Sequence, residues 1–391
     1  MSLDKSTKIG VVGAGTMGTG IAQVAATYGH DVYLYDTFPE QLNISEKGLV
    51  SILNRQVEKE RMSRDEVDRI LSRVHYVDHI NDFSECGLIV EAIIEDLQAK
   101  KDQFARIEAI APKSAILATN TSSISIASIS SALKHPERFL GLHFFNPAPL
   151  MKLVEIIPGI STGKKSVETA RSLVDSWQKT TVLANDTPGF IVNRVARPFY
   201  GEALRLYEEG VADAITIDWA MKEIGGFKMG PFELMDLIGH DVNYKVTESV
   251  FKEFYYDPRF KPSFVQKRLV EAGRLGRKSG IGFYNYGENA DNPEPVRDKV
   301  LGEKILYRIL AMLINEACDA VYMNVATVKD VDLAMINGVN YPKGLLKWAD
   351  DIGPSTVLDW MSALQVEYRE DRYRPNPLLK RKVRNKELFY E

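Results

Sequence analysis

Residues 8–18 read KIGVVGAGTMG, and the fold follows from how that stretch is taken. Lys8 to Val12 is a short run rich in β-branched residues. Ile21, Ala22, Val24 and Ala25 then come at helical spacing, so the pattern predicts strand, tight turn and helix. Within the turn, Gly13 permits the bend, Gly15 lets backbone N–H groups approach a pyrophosphate at the positive helix end, and Gly18 lets helix and strand pack closely. Thr16 and Met17 complete the loop. A glycine-rich turn alone is weak ground. It is strengthened by the next strand, Val32 to Tyr35, which ends at Asp36, roughly 20 residues on, where a carboxylate can hydrogen-bond a ribose 2′-hydroxyl. Thr37, Phe38, Pro39 and Glu40 follow, with no arginine to neutralise a 2′-phosphate, which favours NAD over NADP.

Working outward, residues 43–74 place Leu49, Ile52, Leu53, Val57, Val67, Ile70 and Leu71 at helical spacing, which predicts two amphipathic helices joined near Met62-Ser63. Arg55, Lys59 and Arg61 in this insert either meet a phosphate or lie on a solvated face. Further strands are expected at 88–90, 116–119, 139–143, 153–157 and 181–183, with a helix over 100–111. This alternation predicts an α/β chain with a Rossmann-like, doubly wound and mostly parallel sheet carrying the helical pair.

With 391 residues, 45% apolar and 26% charged, the chain can bury a large core in two or three domains. Its 49 basic and 53 acidic residues nearly cancel, and no long block of one sign suggests a nucleic-acid or membrane partner. The two cysteines, Cys86 and Cys318, and an N-terminus without the regions of a signal peptide point to a reduced, cytoplasmic setting. No apolar run reaches the roughly 20 residues of a spanning helix. Nothing in the sequence asks for a metal.

In doubly wound sheets, ligands bind outside the carboxyl ends of the strands. Asn120-Thr121-Ser122-Ser123 follows one expected strand, His143 ends the next, and Glu155 lies within a third. If that third strand pairs beside His143, Glu155 can accept one ring N–H and leave the other nitrogen to act as a base. Otherwise His143 is a core histidine near an unrelated charge. Thr187-Pro188 reads as a helix cap and first position, which puts Asn193 in the opening turns, either as a core asparagine or as a ligand.

Taken together, GVVGAGTMG, NTSS, GLHFFNP, MKLVEII and DTPGFIVNR resemble, in order, the motifs of the 3-hydroxyacyl-CoA dehydrogenases, the β-oxidation enzymes for the L-(S) isomer. The resemblance runs from about Lys8 to Tyr286, where GRKSGIGFYNY is similar to the family's closing motif. It implies an NAD-dependent enzyme acting on an acyl-CoA, with His143 as base, Glu155 orienting it, Ser122 bonded to the reacting oxygen and Asn193 holding substrate. It also implies that Asp36, Glu95, Lys100, Asn120, Ser122, Asn146 and Lys278 join the glycine turn in touching the cofactor, and that Lys59 lies near the CoA. Two rivals remain open: a polyol-acid dehydrogenase of the gulonate dehydrogenase and lambda-crystallin branch, and a non-enzymatic dinucleotide-binding protein.

The chain continues about a hundred residues past the closing motif, after the polar, proline-containing segment 287–300, which reads as a linker. Setting residues 193–239 against 307–353 without a gap makes about a quarter of the positions identical. The organisation expected is therefore a Rossmann-like domain over 1–185, a helical domain over 186–286, the linker, and a second, structural copy of the helical domain over 301–391. Tyr307 stands where the first copy has Asn193, and no DTPGF precedes it, so no second active site is expected. The longer bacterial family members resemble this arrangement. Two assemblies are left open: a homodimer, and a monomer in which the second copy replaces the partner.

Overall fold

The computed structural model describes residues 3–288 and 290–390. The chain divides into two compact units, Met1–Thr187 and Pro188–Glu391. Among the described residues no helix is long and apolar enough to cross a membrane.

The first unit is built on eight strands: β1 (Lys8–Val12), β2 (Val32–Tyr35), β3 (Val74–Val77), β4 (Cys86–Glu91), β5 (Ile116–Thr119), β6 (Phe139–Phe144), β7 (Leu153–Pro158) and β8 (Thr180–Leu183). Their order is β3-β2-β1-β4-β5-β6-β7-β8, and every pairing is parallel except β6 with β7. Six helices accompany them: α1 (Thr16–Thr27), α2 (Pro39–Glu58), α3 (Arg64–Ser72), α4 (Leu97–Ile110), α5 (Ile126–Ser130) and α6 (Lys164–Ser176). Ile9, Val11, Leu34, Leu88, Val90, Leu140 and Leu142 are fully buried, which is why these strands read as apolar runs rather than as alternation.

Three local features depart from the sequence reading. The edge strand β3 follows α3 directly; its run Val-His-Tyr-Val is short and only half-buried, so it carried no clear period. Helix α4 starts at Leu97 because the Asp96 side chain accepts the Ala99 N–H at 2.8 Å and caps it there. The helix expected to open at Thr187-Pro188 does not. Gly189 and Phe190 take left-handed φ values of 71° and 47°, which no α-helix admits, and the helix begins only at Val192.

The second unit is helical: α7 (Val192–Val195), α8 (Arg197–Glu208), α9 (Ala214–Trp219), α10 (Pro231–Ile238), α11 (His240–Glu253) and α12 (Phe264–Glu271), then α13 (Lys299–Tyr322), α14 (Val328–Val339), α15 (Leu345–Ile352), α16 (Pro354–Tyr368) and α17 (Pro377–Asn385). The repeat is visible in its hydrogen bonds. Asp218 accepts from the Phe232 and Glu233 N–H groups at the start of α10 and from the Tyr284 hydroxyl; Asp332 accepts from Leu346, Lys347 and Tyr390 in the same way. Asp236 binds the N–H groups of Phe283 and Tyr284, and Asp350 those of Phe389 and Tyr390. In each copy, one carboxylate caps a helix while another pins the end of the copy to it.

The two copies lie within one compact unit, not two, because α13 packs along α8. Their buried ion pairs cross between copies reciprocally. Arg194 Nε meets Glu316 at 2.7 Å, and its counterpart Arg308 meets Glu202, the counterpart of Glu316, at 2.5 Å. This is the pattern of an isologous, two-fold contact, made here within a single chain.

Candidate active site

The glycine turn is shaped for a dinucleotide. Gly15 caps α1 with no side-chain hydrogen bond, and the first turn carries no acidic residue, so its N–H groups are available to an anion. A Cβ on Gly18 would lie 1.7 Å from the Gly13 carbonyl oxygen, whereas one on Gly15 would meet nothing within 4 Å. Thus Gly18 serves the close packing of α1 on the turn, and the approach over Gly15 is open. Thr16 is exposed and Met17 half-buried beside it. Asp36 stands at the end of β2, accepting the Ala14 N–H at 2.7 Å and the Phe38 N–H at 3.0 Å. Uncapped N–H groups, an open approach and a carboxylate at the strand end fit the pyrophosphate and ribose of a dinucleotide.

Next along the sheet, a charge cluster, buried at Glu91 and Lys100 and open at Glu95, holds the turn after β5. Lys100, 1% exposed, lies 2.7 Å from Glu91 and 3.3 Å from Glu95. Glu91 also accepts from the Thr119 hydroxyl and the Ile93 N–H. Glu95 accepts from the Thr121 hydroxyl at 2.5 Å, the Ser122 N–H at 3.0 Å and the Ser123 N–H at 3.2 Å. Burial works against its ionisation, but the Lys100 ammonium and these donors outweigh it and hold the carboxyl below its usual range. Ser122 is thereby fixed at the end of its strand. The side chain of Asn120 accepts the Phe144 N–H at 2.8 Å and ties that end to β6.

His143 and Glu155 face each other directly in the antiparallel β6–β7 ladder. His143 Nδ1 and Glu155 Oε2 are 2.6 Å apart, with the residues 6% and 0% exposed. The Phe145 ring lies 4.4 Å from the imidazole, centroid to centroid. The segment carrying Phe145 and the exposed Asn146 is anchored by Lys179, whose ammonium donates to the Ala148 and Met151 carbonyls at 2.6 and 2.8 Å. Burial pushes the Lys179 pKa down to about 8. Neither Lys179 nor Glu91 was anticipated: a single lysine before a strand, or a glutamate ending one, has no spacing that announces it.

The remaining candidates lie on other elements. Lys59 is exposed just past the end of α2, whose outer face forms an open cleft lined by Lys47, Val50, Ser51, Asn54, Arg55 and Glu58. In the second unit, Asn193 is the second residue of α7, and Lys278 pairs with Asp241 at 2.5 Å.

Comparison with known proteins follows the same division. The NAD-binding domain model of 3-hydroxyacyl-CoA dehydrogenase matches residues 8–187, and the C-terminal domain model matches 189–286 and 305–390. The chain belongs to the 3-hydroxyacyl-CoA dehydrogenase family. It is 39% identical to the 3-hydroxyadipyl-CoA dehydrogenase of Escherichia coli K12 over 96% of this chain and 97% of that one. It is 42% identical to the mitochondrial hydroxyacyl-coenzyme A dehydrogenase of Sus scrofa over 71% of this chain and 90% of that one. A crystal structure of 3-hydroxybutyryl-CoA dehydrogenase from E. coli K12 superimposes with a TM-score of 0.92 at 38% identity, covering 98% of this chain and 99% of that one. The chain is therefore an NAD-dependent oxidoreductase of hydroxyacyl-CoA, and the non-enzymatic reading falls away.

Proposed function

We propose that the enzyme reversibly oxidises an L-(S)-3-hydroxyacyl-CoA to the 3-ketoacyl-CoA, with His143 as general base. The observation that carries this is the buried, cross-strand His143–Glu155 pair at the ligand-binding edge of a dinucleotide sheet. An alcohol gives up hydride readily only as its proton is withdrawn, and imidazole suits both directions near neutral pH. Glu155 keeps the Nδ1 proton in place, so Nε2 takes the proton of the 3-hydroxyl, and the carboxylate stabilises the imidazolium that results. Ser122 hydrogen-bonds the reacting oxygen from the turn that Glu95 holds rigid. Asn193 holds the substrate. Bound NAD supplies the hydride acceptor. Gly13, Gly15, Thr16, Met17, Gly18, Asp36, Glu95, Asn120, Asn146 and Lys278 would bind it, with Lys100 acting through Glu95. The CoA would lie along α2 near Lys59.

The second helical copy is structural in this reading. Tyr307, in the place of Asn193, stacks on Trp360 at 4.5 Å between ring centroids, so that position is given to packing. With its two-fold contact made internally, the chain would be a monomer at that surface. Relatives named for butyryl and adipyl substrates leave four- and six-carbon acyl groups in range. The test is NADH formation with 3-hydroxybutyryl-CoA and 3-hydroxyadipyl-CoA beside L-gulonate. Turnover of gulonate alone would favour the polyol-acid branch and refute the proposal.

A further inference from the structure

One buried cation takes no part in the chemistry above and has no counter-charge among the described residues. Arg197, the first residue of α8, is 7% exposed. Its Nε donates to the Asn193 carbonyl at 2.8 Å, its Nη1 donates to Thr247 Oγ1 at 3.1 Å, and the guanidinium lies 4.9 Å from the centre of the Tyr200 ring. Among the described residues no carboxylate pairs with it, whereas the other buried arginines, Arg138, Arg194, Arg308 and Arg372, each do so. Burial pushes its pKa down, and only the Tyr200 and Tyr341 phenols work against that. A second unsatisfied group stands close by. The Tyr341 hydroxyl, on a residue 5% exposed, has no hydrogen-bond partner among the described residues. Tyr341 comes from the second copy, where the first copy has Phe227, so the hydroxyl is an addition to a ring that already packs on Phe199 and Phe227.

A buried cation without an anion and a buried phenol without a partner each cost stability, and one ligand can relieve both. We propose that Arg197, with the hydroxyls of Tyr200 and Tyr341, is a carboxylate-binding site that receives the far end of a 3-hydroxyacyl-CoA whose acyl chain carries a second, terminal carboxylate. The proposal rests on the hydroxyacyl-CoA reading, in which Asn193 holds the substrate. Arg197 follows Asn193 by four residues, and Ala196 between α7 and α8 keeps right-handed helical dihedrals, so the two lie on one helical face. A single guanidinium matches a singly charged, planar carboxylate better than a phosphate, which would call for more cations. This assignment also gives the second copy a part in specificity through Tyr341.

The test compares kcat/KM for 3-hydroxyadipyl-CoA with that for 3-hydroxyhexanoyl-CoA, which has the same carbon count and a methyl end. The wild type should prefer the dicarboxylic substrate. Arg197→Met should lower the ratio roughly 30-fold or more, mainly through KM, because one partner of a desolvated charge pair is lost. Arg197→Lys should keep part of the preference, and Tyr341→Phe should lose a smaller part. A ratio unchanged in Arg197→Met, or a wild type that prefers the methyl end, overturns the assignment. If the wild type oxidises neither compound, the dehydrogenase reading itself fails, and the site is then judged by melting. Adipate should raise the Tm of the wild type and not of Arg197→Met, and without ligand the variant should melt no lower than the wild type. A lower-melting variant that adipate leaves unaltered, like the wild type, would make Arg197 a structural strut.

Discussion

Replacing Arg308 by Met tests the reciprocal contact between the helical copies. Arg308 Nε meets Glu202 at 2.5 Å, and its Nη atoms meet Glu209 at 2.7 and 2.9 Å. Glu209 is half-exposed and can turn to water, but Glu202 is 2% exposed and, among the described residues, would keep only the Tyr373 hydroxyl at 2.6 Å. Breaking a buried pair from one side costs about 3–5 kcal/mol, chiefly by stranding the other charge. In a unit of this size each kcal/mol moves the melting temperature by roughly 2–4 °C, so a drop of about 6–20 °C is expected at pH 7. The loss should carry a pH signature. With the arginine gone, the stranded carboxylate is costly only while it is ionised. The penalty, full at neutral pH, therefore shrinks as acid protonates carboxyl groups. Replacing both partners, Arg308→Met with Glu202→Leu, should recover most of the loss, since no charge is stranded. Scanning calorimetry from pH 4.5 to 8 reads all of this. A pH-independent loss, or a double variant no better than the single one, would mean that Arg308 matters only for packing and that the reasoning about stranded charge is wrong.

His143→Gln should retain NAD binding by fluorescence titration while turnover falls roughly 10²–10⁴-fold, and near-normal turnover would remove it as the base. Asp36→Ala should weaken NAD binding and narrow the preference over NADP by removing a repulsive carboxylate; a wild type that already prefers NADPH contradicts the cofactor reading. Glu95→Gln should melt below the wild type at pH 6–8, with the gap closing as pH falls below about 4.5, because a carboxyl with a lowered folded pKa stabilises only while ionised. Lys179→Met should loosen the segment bearing Asn146 and raise the KM for NAD; because burial lowers the Lys179 pKa to about 8, the stability of the wild type relative to the variant should grow between pH 8 and 10. A chain ending at residue 286 should dimerise, with Arg194 of each copy meeting Glu202 of the other, and light scattering that shows a stable monomer would refute this.

Much of the first unit was legible because its signals are local. The glycine turn, Asp36 and the apolar strands each announce themselves within a few residues, and the direct pairing of His143 with Glu155 needed only the adjacency of β6 and β7. Lys179 and Glu91 were not legible because Lys179 binds backbone carbonyls about thirty residues back, and Glu91 binds Lys100 on the next helix and Thr119 on the next strand, at separations that match no recurring pattern. The start of α7 was misread for a related reason. Thr-Pro is a sound cap signal, but the left-handed conformation of Phe190 depends on what surrounds it rather than on its own preference.

The repeat shows a different limit. An internal alignment finds Arg194 matched with Arg308 and Glu202 with Glu316, and it treats Asp218 with Asp332 as the same kind of match. In the structure these are two kinds. The aspartates make the same bonds inside each copy, so they state what one copy needs to fold. The arginines and glutamates bond across copies, each arginine to the glutamate of the other, so they state what two copies need to meet. Only a two-fold arrangement lets one residue set satisfy itself in that crossed fashion, because each position then faces the partner's complementary position. Residues that differ between copies carry a third meaning: Tyr341 for Phe227 and Tyr307 for Asn193 mark where the second copy no longer duplicates the first. At Tyr307 the change gives a ring to packing, while at Tyr341 it brings a hydroxyl without a hydrogen-bond partner among the described residues close to a guanidinium that no carboxylate among them pairs with, and only a change of the second sort asks for a ligand.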